Sequence, residues 1–212
     1  MEFKDIIIQA FSENRKEFNI ESSVVETSFN SNLTGFETED IWRFVIELID
    51  DEEIDGYIED LKGVITIFKV FDFEYYYKSP EMEKKKLILK SLRDGISILC
   101  EKFSVSNNFF EEAYLQTLSD GVKYRSKWGN EALSLGDLWQ ANIYLELDFG
   151  VSKISAVFKN MESGIVVEKI LVNPKPNYMF FDRCLGRSFW DDEGAFCLES
   201  KNKKEIWKAK PE

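Results

Sequence analysis

The chain predicts an α+β fold: an antiparallel sheet with two main helices, about 79–103 and 108–118, and a C-terminal antiparallel β-meander. Three observations point to it. The run Gly63–Tyr77 (GVITIFKVFDFEYYY) is dense in β-branched and aromatic residues. Ile88, Leu92, Ile96, Leu99 and Phe103 fall at 4-4-3-4 spacing, the stripe of a helix buried on one face. From Trp139 onward, short alternating runs recur between turn residues, the pattern of an antiparallel meander. The N-terminal part is expected over 1–120 and the meander over 138–210, packed as one compact unit with any seam near Gly121–Asp137.

Taken in order, residues 1–18 read as a helix, with Phe3, Ile6, Ile7, Ala10 and Phe11 on its apolar face, although the Ile6–Ile8 run argues for strand. Ser22–Phe29 (SSVVETSF) is β-branched and reads as a strand. Ile41–Ile49 fits both periods. Alternation places Arg43 and Glu47 on one face, and the Trp42, Phe44 and Ile46 content favours strand. Gly63–Tyr77 is long for one strand, so a bulge or bend is expected near Lys69. Ser79-Pro80-Glu81 opens the first long helix, with Ser as cap and Pro at the first position. Gly95 inside it marks either a small loss or a close contact. Phe109, Phe110, Ala113, Tyr114 and Leu118 outline the second helix, which Asp120-Gly121 ends. In the meander, Ala141, Ile143, Leu145 and Leu147 alternate with polar residues. So do Ile154, Ala156 and Phe158. Ile165–Val172, Tyr178–Phe181, Arg187–Trp190, Ala195–Leu198 and Glu205–Trp207 read as further strands.

Composition narrows the chemistry. The chain has no histidine, which removes Ser-His-Asp and Cys-His catalysis and imidazole metal ligands. Glycine-rich phosphate loops are also missing from the sequence. Cys100, Cys184 and Cys197 are odd in number and lack CxxC spacing, which fits a reducing cytoplasm, although Cys184 and Cys197 are placed to face each other across a hairpin. No window is apolar enough to span a membrane, and the N-terminus has no signal-peptide pattern. Charge is unevenly spread: residues 1–60 hold 17 Asp and Glu against 4 Lys and Arg, out of 39 and 27 in the whole chain. Essentially all of the net charge of −12 therefore sits in the first 60 residues. Such a field repels nucleic acid and anionic membrane surfaces and attracts cationic proteins.

Candidate chemistry concentrates in Glu37–Asp60 (ETEDIWRFVIELIDDEEIDGYIED). Asp51, Glu53, Asp55 and Gly56 fall at positions 1, 3, 5 and 6 of a calcium loop, but position 12 is Lys62 where a bidentate acid is needed. Asp50-Asp51 with Asp191-Asp192 would form a carboxylate-only metal site if the two converged; Asp191–Gly194 also reads as an ordinary hairpin turn. Lys123–Trp128 alternates cations with aromatics, and internal ion pairing is the expected use. Asp72 and Glu74, inside the aromatic run, are expected at its exposed end.

The leading expectation is a non-enzymatic acidic binding protein with no cofactor. Its partner-binding residues would be Trp42, Asp50, Asp51, Glu52, Glu53, Asp55, Tyr57, Glu59 and Asp60, with Tyr75–Tyr77 as further aromatic anchors. Its partner would be a basic protein, as for an immunity-type inhibitor that neutralises a basic toxin. Two alternatives carry distinct expectations. A metal-dependent hydrolase requires converging acids, and a structural or assembly subunit requires a large apolar surface patch.

Overall fold

The computed structural model of the chain describes residues 3–10, 15–34, 36–38, 40–174 and 178–211. The fold is α+β and forms two compact units, Met1–Lys123 and Tyr124–Glu212. Phe11, part of the expected N-terminal helical face, lies outside the described residues.

In the first unit, strands β1 (Asp5–Ala10), β2 (Arg43–Ile49), β3 (Ile58–Leu61) and β4 (Val64–Val70) form one sheet in the order β1-β2-β4-β3. Helices α1 (Lys16–Asn32), α2 (Phe73–Lys78), α3 (Glu81–Phe103) and α4 (Asn108–Ser119) complete it. α1, α3 and α4 pack against one another, and α3 also lies on β2 and β4. The stripe expected in α3 is there: Ile88, Leu92, Ile96 and Leu99 are fully buried. Gly95 resolves as a close contact. A Cβ built on it lies 2.7 Å from Ile46 Cγ1 and 3.2 Å from Cγ2, and Ile46 is itself completely buried. Gly95→Ala should therefore destabilise this unit by about 1–2 kcal/mol in urea unfolding, because overpacking outweighs the better helix propensity of alanine. In an Ile46→Ala background the same change should be neutral or stabilising.

Four local expectations are overturned here. Residues 5–10 form a strand, not a helix: Ile6, Ile8 and Ala10 alternate inward, and the β-branched run prevails. Ser22–Phe29 is helical. Phe18, Ser22, Val25 and Phe29 are buried at 4-3-4 spacing, and the hydroxyls of the segment donate to carbonyls of the helix itself, Ser22 to Asn19, Ser23 to Ile20 and Thr27 to Ser23. Gly63–Tyr77 is not one bent strand. β4 stops at Val70, and the Asp72 carboxylate accepts the Tyr75 N–H at 2.8 Å and caps α2. Phe71, Phe73 and Tyr76 then close around Phe18, with ring centroids 5.1–5.5 Å away. Ser79 serves as the end of α2 instead of the first cap of α3, donating its hydroxyl to the Tyr75 carbonyl, and Pro80 is the cap residue.

Strand direction in this sheet also departs from the antiparallel expectation. β1 pairs parallel with β2, and β2 parallel with β4; only β3 runs antiparallel, against β4. A helix between β1 and β2 makes a crossover, and crossovers join parallel strands. The central position of β2 explains why both periods fitted it: Phe44 through Leu48 are all buried.

α1 also fastens itself to the free side of β1. Asn30 accepts the Ile6 N–H at 3.0 Å and donates to the Ile6 carbonyl at 2.7 Å. Asn19 makes the same pair with Ala10, at 2.8 and 3.0 Å. Between them, the Glu26 carboxylate accepts the Ile8 N–H at 3.3 Å. Desolvation pushes the Glu26 carboxyl up to about 8 against the opposing Ile8 hydrogen bond, with Asp5 adding to the shift and Arg43 also opposing it.

The second unit is antiparallel throughout. β5 (Tyr124–Leu133), β6 (Trp139–Asp148), β7 (Val151–Asn160) and β8 (Val166–Val172) follow one another in a meander that begins earlier than 138. A second sheet orders β11 (Ile206–Ala209), β10 (Phe196–Glu199) and β9 (Arg187–Trp190). Ala141, Ile143, Leu145 and Leu147 of β6, with Ile154, Ala156 and Phe158 of β7, form the buried face as the alternation predicts. Phe158, Trp190 and Phe196 pack within 6.0 Å of one another. Tyr178–Phe181 is part of a helix, α5 (Tyr178–Cys184), where a strand was expected. Cys184 thus ends a helix and does not face Cys197 across a hairpin; all three cysteines are free.

Candidate functional site

The acidic stretch begins at the outer end of β2 and returns along the sheet. Asp50 follows Ile49 directly, and its carboxylate pairs with Arg15 at 2.6 Å. The Arg15 guanidinium lies 3.8 Å from the Phe73 ring centre, a cation–π contact that fixes its direction. Asp51 caps the 3-10 turn Glu52–Ile54 by accepting the Glu53 N–H at 2.9 Å. Asp55 accepts the Val70 N–H at 2.9 Å, and Asp60 the Gly63 N–H at 3.1 Å. Asp51 and Asp60 therefore shape turns, and Asp55 ties the loop to the end of β4. Asp51 and Asp55, at positions 1 and 5 of the calcium-like loop, thus each give one carboxylate oxygen to a backbone amide. Glu52 and Glu53 are exposed and hold no other part of the described structure together.

β3 then carries Glu59 and Asp60 back along the outermost position of the sheet. The nine predicted residues are consequently spread along one margin and do not form a point. At one end are Asp50–Asp55 and Tyr57, whose ring is 58% exposed and packs on Phe68 at 5.9 Å. At the other end are Asp60 and Trp42. Seven residues of β2 separate these ends by roughly 20–25 Å. Trp42 is half-buried and engaged by its own chain: the Arg43 guanidinium and the Lys4 ammonium lie 4.8 and 5.7 Å from its ring. Tyr57 and Tyr75 are the more open aromatics; Tyr76 is fully buried, its hydroxyl bonded to Glu21.

At the Trp42 end lies a feature that the sequence reading missed. A groove of about 680 Å³ is lined by Phe36, Ile41, Ile65, Phe103 and Phe109 and edged by Glu37, Asp40 and Asp60. Its residues come from four separate segments, so no local pattern marks it. Only the density of acids before Trp42 hinted at its rim.

The other candidates resolve into structural roles. Asp191 accepts the N–H groups of Glu193 and Ala195 and pairs with Lys208 at 2.8 Å, which holds its carboxyl down to about 2. It is the hairpin turn that its sequence suggested. Arg125 of the cation-aromatic run pairs with Glu146 and Glu168, each at 3.2 Å, and lies 4.9 Å over Tyr144; Lys127 pairs with Glu131 at 2.7 Å. Asp72 caps a helix, and Glu74 forms an exposed pair with Lys78. Among the described residues, no three His, Cys, Asp or Glu side chains converge as metal ligands would. No helix among them is long and apolar enough to cross a membrane.

Comparison with known proteins adds no relative: no protein-family model, no curated protein and no solved structure matches the chain.

Proposed function

We propose that this chain is an acidic binding protein that captures a basic protein partner along the β3 margin of its first unit, in the manner of an immunity-type inhibitor that neutralises a basic toxin in the cytoplasm. One observation carries the reading. Acids run without interruption of sign from Asp50 through Glu52, Glu53 and Asp55 to Glu59 and Asp60, and they follow one side of the sheet. Lys62 is the first cation after them. A margin of one sign raises the encounter rate with a cationic surface and rejects anionic ones. Tyr57 supplies an exposed aromatic able to be desolvated at its upper end.

The acids are not equivalent probes. Reversing Asp51, Asp55 or Asp60 would remove a backbone contact, and reversing Asp50 would place a cation against Arg15. Glu52→Lys with Glu53→Lys alters the field alone. A basic protein captured from the native lysate and then purified should bind this double variant at least about tenfold more weakly at low salt, mostly through a slower on-rate, and the difference should shrink at high salt. Equal affinity of the variant and the parent, measured by biolayer interferometry, would remove the acidic margin from the explanation.

A further inference from the structure

We infer that the groove at the foot of the β3 margin receives a Lys- or Arg-bearing peptide segment of the partner, with the aliphatic stem on its aromatic floor and the cationic head at its acidic rim. This inference rests on the proposed margin reading and names the contact chemistry at one end of it.

Three features of the groove converge on that ligand. Its floor is apolar: Ile41 and Ile65 are buried, Phe36 and Phe103 half-buried, and Phe109 is 40% exposed. Its rim holds Glu37, Asp40 and Asp60, all exposed, and no Lys or Arg is among the residues that line it. The third feature is independent of side-chain charge. Phe103 and Ser104 are the last residue and the cap of the 23-residue helix α3, so the negative end of its dipole borders the groove. Ser104 takes the left-handed conformation, φ 54°, that turns the chain and lets Val105 and Ser106 complete the wall.

An apolar floor under a negative rim selects against a bare inorganic cation, which has nothing to gain from phenyl rings beyond its charge. It suits side chains that are apolar along the stem and charged at the tip, and the exposed Phe109 can add cation–π attraction for a guanidinium or ammonium. A volume of about 680 Å³ is that of a site for a drug-sized molecule, and so for several side chains together. This favours a peptide segment over a single residue. Asp60 can serve while keeping its fold contact, since one carboxylate oxygen accepts the Gly63 N–H and the other remains available.

The test is an NMR titration of the full chain, following backbone amides. The probes are acetyl-Leu-Arg-Leu-Lys-amide, the same peptide with Glu at both basic positions, and spermine. The basic peptide should give saturable shifts at Asp40, Ser104 and Phe109, and the acidic peptide none. Asp40→Asn with Asp60→Asn keeps the Gly63 hydrogen bond and should weaken binding about tenfold, as should Phe109→Ala. Failure to saturate, or shifts scattered over all the acidic surface, would overturn the proposal. Equally tight saturation by spermine would also overturn it, in favour of a free polyamine. Glu52→Lys with Glu53→Lys should leave the titration unchanged, because those residues sit at the far end of the sheet. The groove and the margin therefore stand or fall by separate measurements.

Discussion

Glu26→Gln should stabilise the first unit, and the gain should grow with pH. Glu26 is the middle rung of the contacts by which α1 holds β1, between Asn30 on Ile6 and Asn19 on Ala10. The two asparagines both accept and donate. An ionised glutamate accepts only, and does so in a site that desolvates its charge. Its carboxyl titrates near 8 in the folded chain, against 4.5 as the ordinary value. The folded state thus holds a proton that the unfolded state has released between those two values. Stability is fullest below about pH 4.5 and is lost as pH rises through 8. Glutamine does not titrate and offers the donor that a protonated glutamate would offer. The variant should match the parent near pH 4.5 and exceed it by roughly 4–5 kcal/mol at pH 9. Amide hydrogen exchange at Ile46, in the centre of the sheet, reads this unit without interference from the other. A pH-independent difference between the two proteins would show that Glu26 is solvated and that its bond to Ile8 is incidental.

Gly186→Ala should be the most damaging single methyl in the second unit. Gly186 links α5 to β9, and its N–H donates to the Glu199 carbonyl at 2.9 Å. A Cβ there would lie 2.5 Å from the Glu199 carbonyl oxygen and 2.7 Å from that of Ser200. Both obstacles are backbone, and Glu199 and Ser200 are buried. Relief requires moving β10, whose four residues are all buried. A side chain can choose another rotamer, as Ile46 could in part beside Gly95, but a paired strand has no such freedom. A loss of about 3 kcal/mol or more is expected, seen as earlier melting of the fluorescence of Trp190 and Trp207. Gly186→Ser should be no better, since its Cβ is the same. A melting temperature within a degree of the parent for both variants would mean that this junction can open without cost.

What the sequence disclosed depended on whether the signal was local. The stripe of α3 and the alternation of β6 and β7 were legible because each element carries its own period and has a single buried face. α1 was not: Val24, Val25 and Thr27 argue for strand by type, and the helical spacing of Phe18, Ser22, Val25 and Phe29 includes a serine that no hydrophobic pattern counts. Asp72 was a readable cap, but the aromatic run on either side of it concealed the break between β4 and α2. Parallel pairing of β1, β2 and β4 could have been argued only after α1 was recognised, because strand composition does not record direction. The acidic margin was visible as composition. Its division into two ends was not, since that follows from β3 turning back along β4. The groove draws on residues as far apart as Phe36 and Phe109, and only tertiary structure assembles it.

The ladder that α1 builds against β1 has a consequence for how this molecule can meet others. A mixed sheet normally offers its outermost strands as templates on which a visiting chain can zip itself by backbone pairing. Here one flank is sealed by Asn19, Glu26 and Asn30, which occupy the sites an incoming strand would need. The other flank, β3, is four residues long and bears Glu59 and Asp60, so a neighbour of the same kind is turned away by like charge. Strand addition, domain exchange and fibril growth therefore find no easy purchase on this sheet. Recognition is left to side chains, and with it selectivity: a visitor is admitted for its charge and shape, not for the generic capacity of any peptide to form a strand.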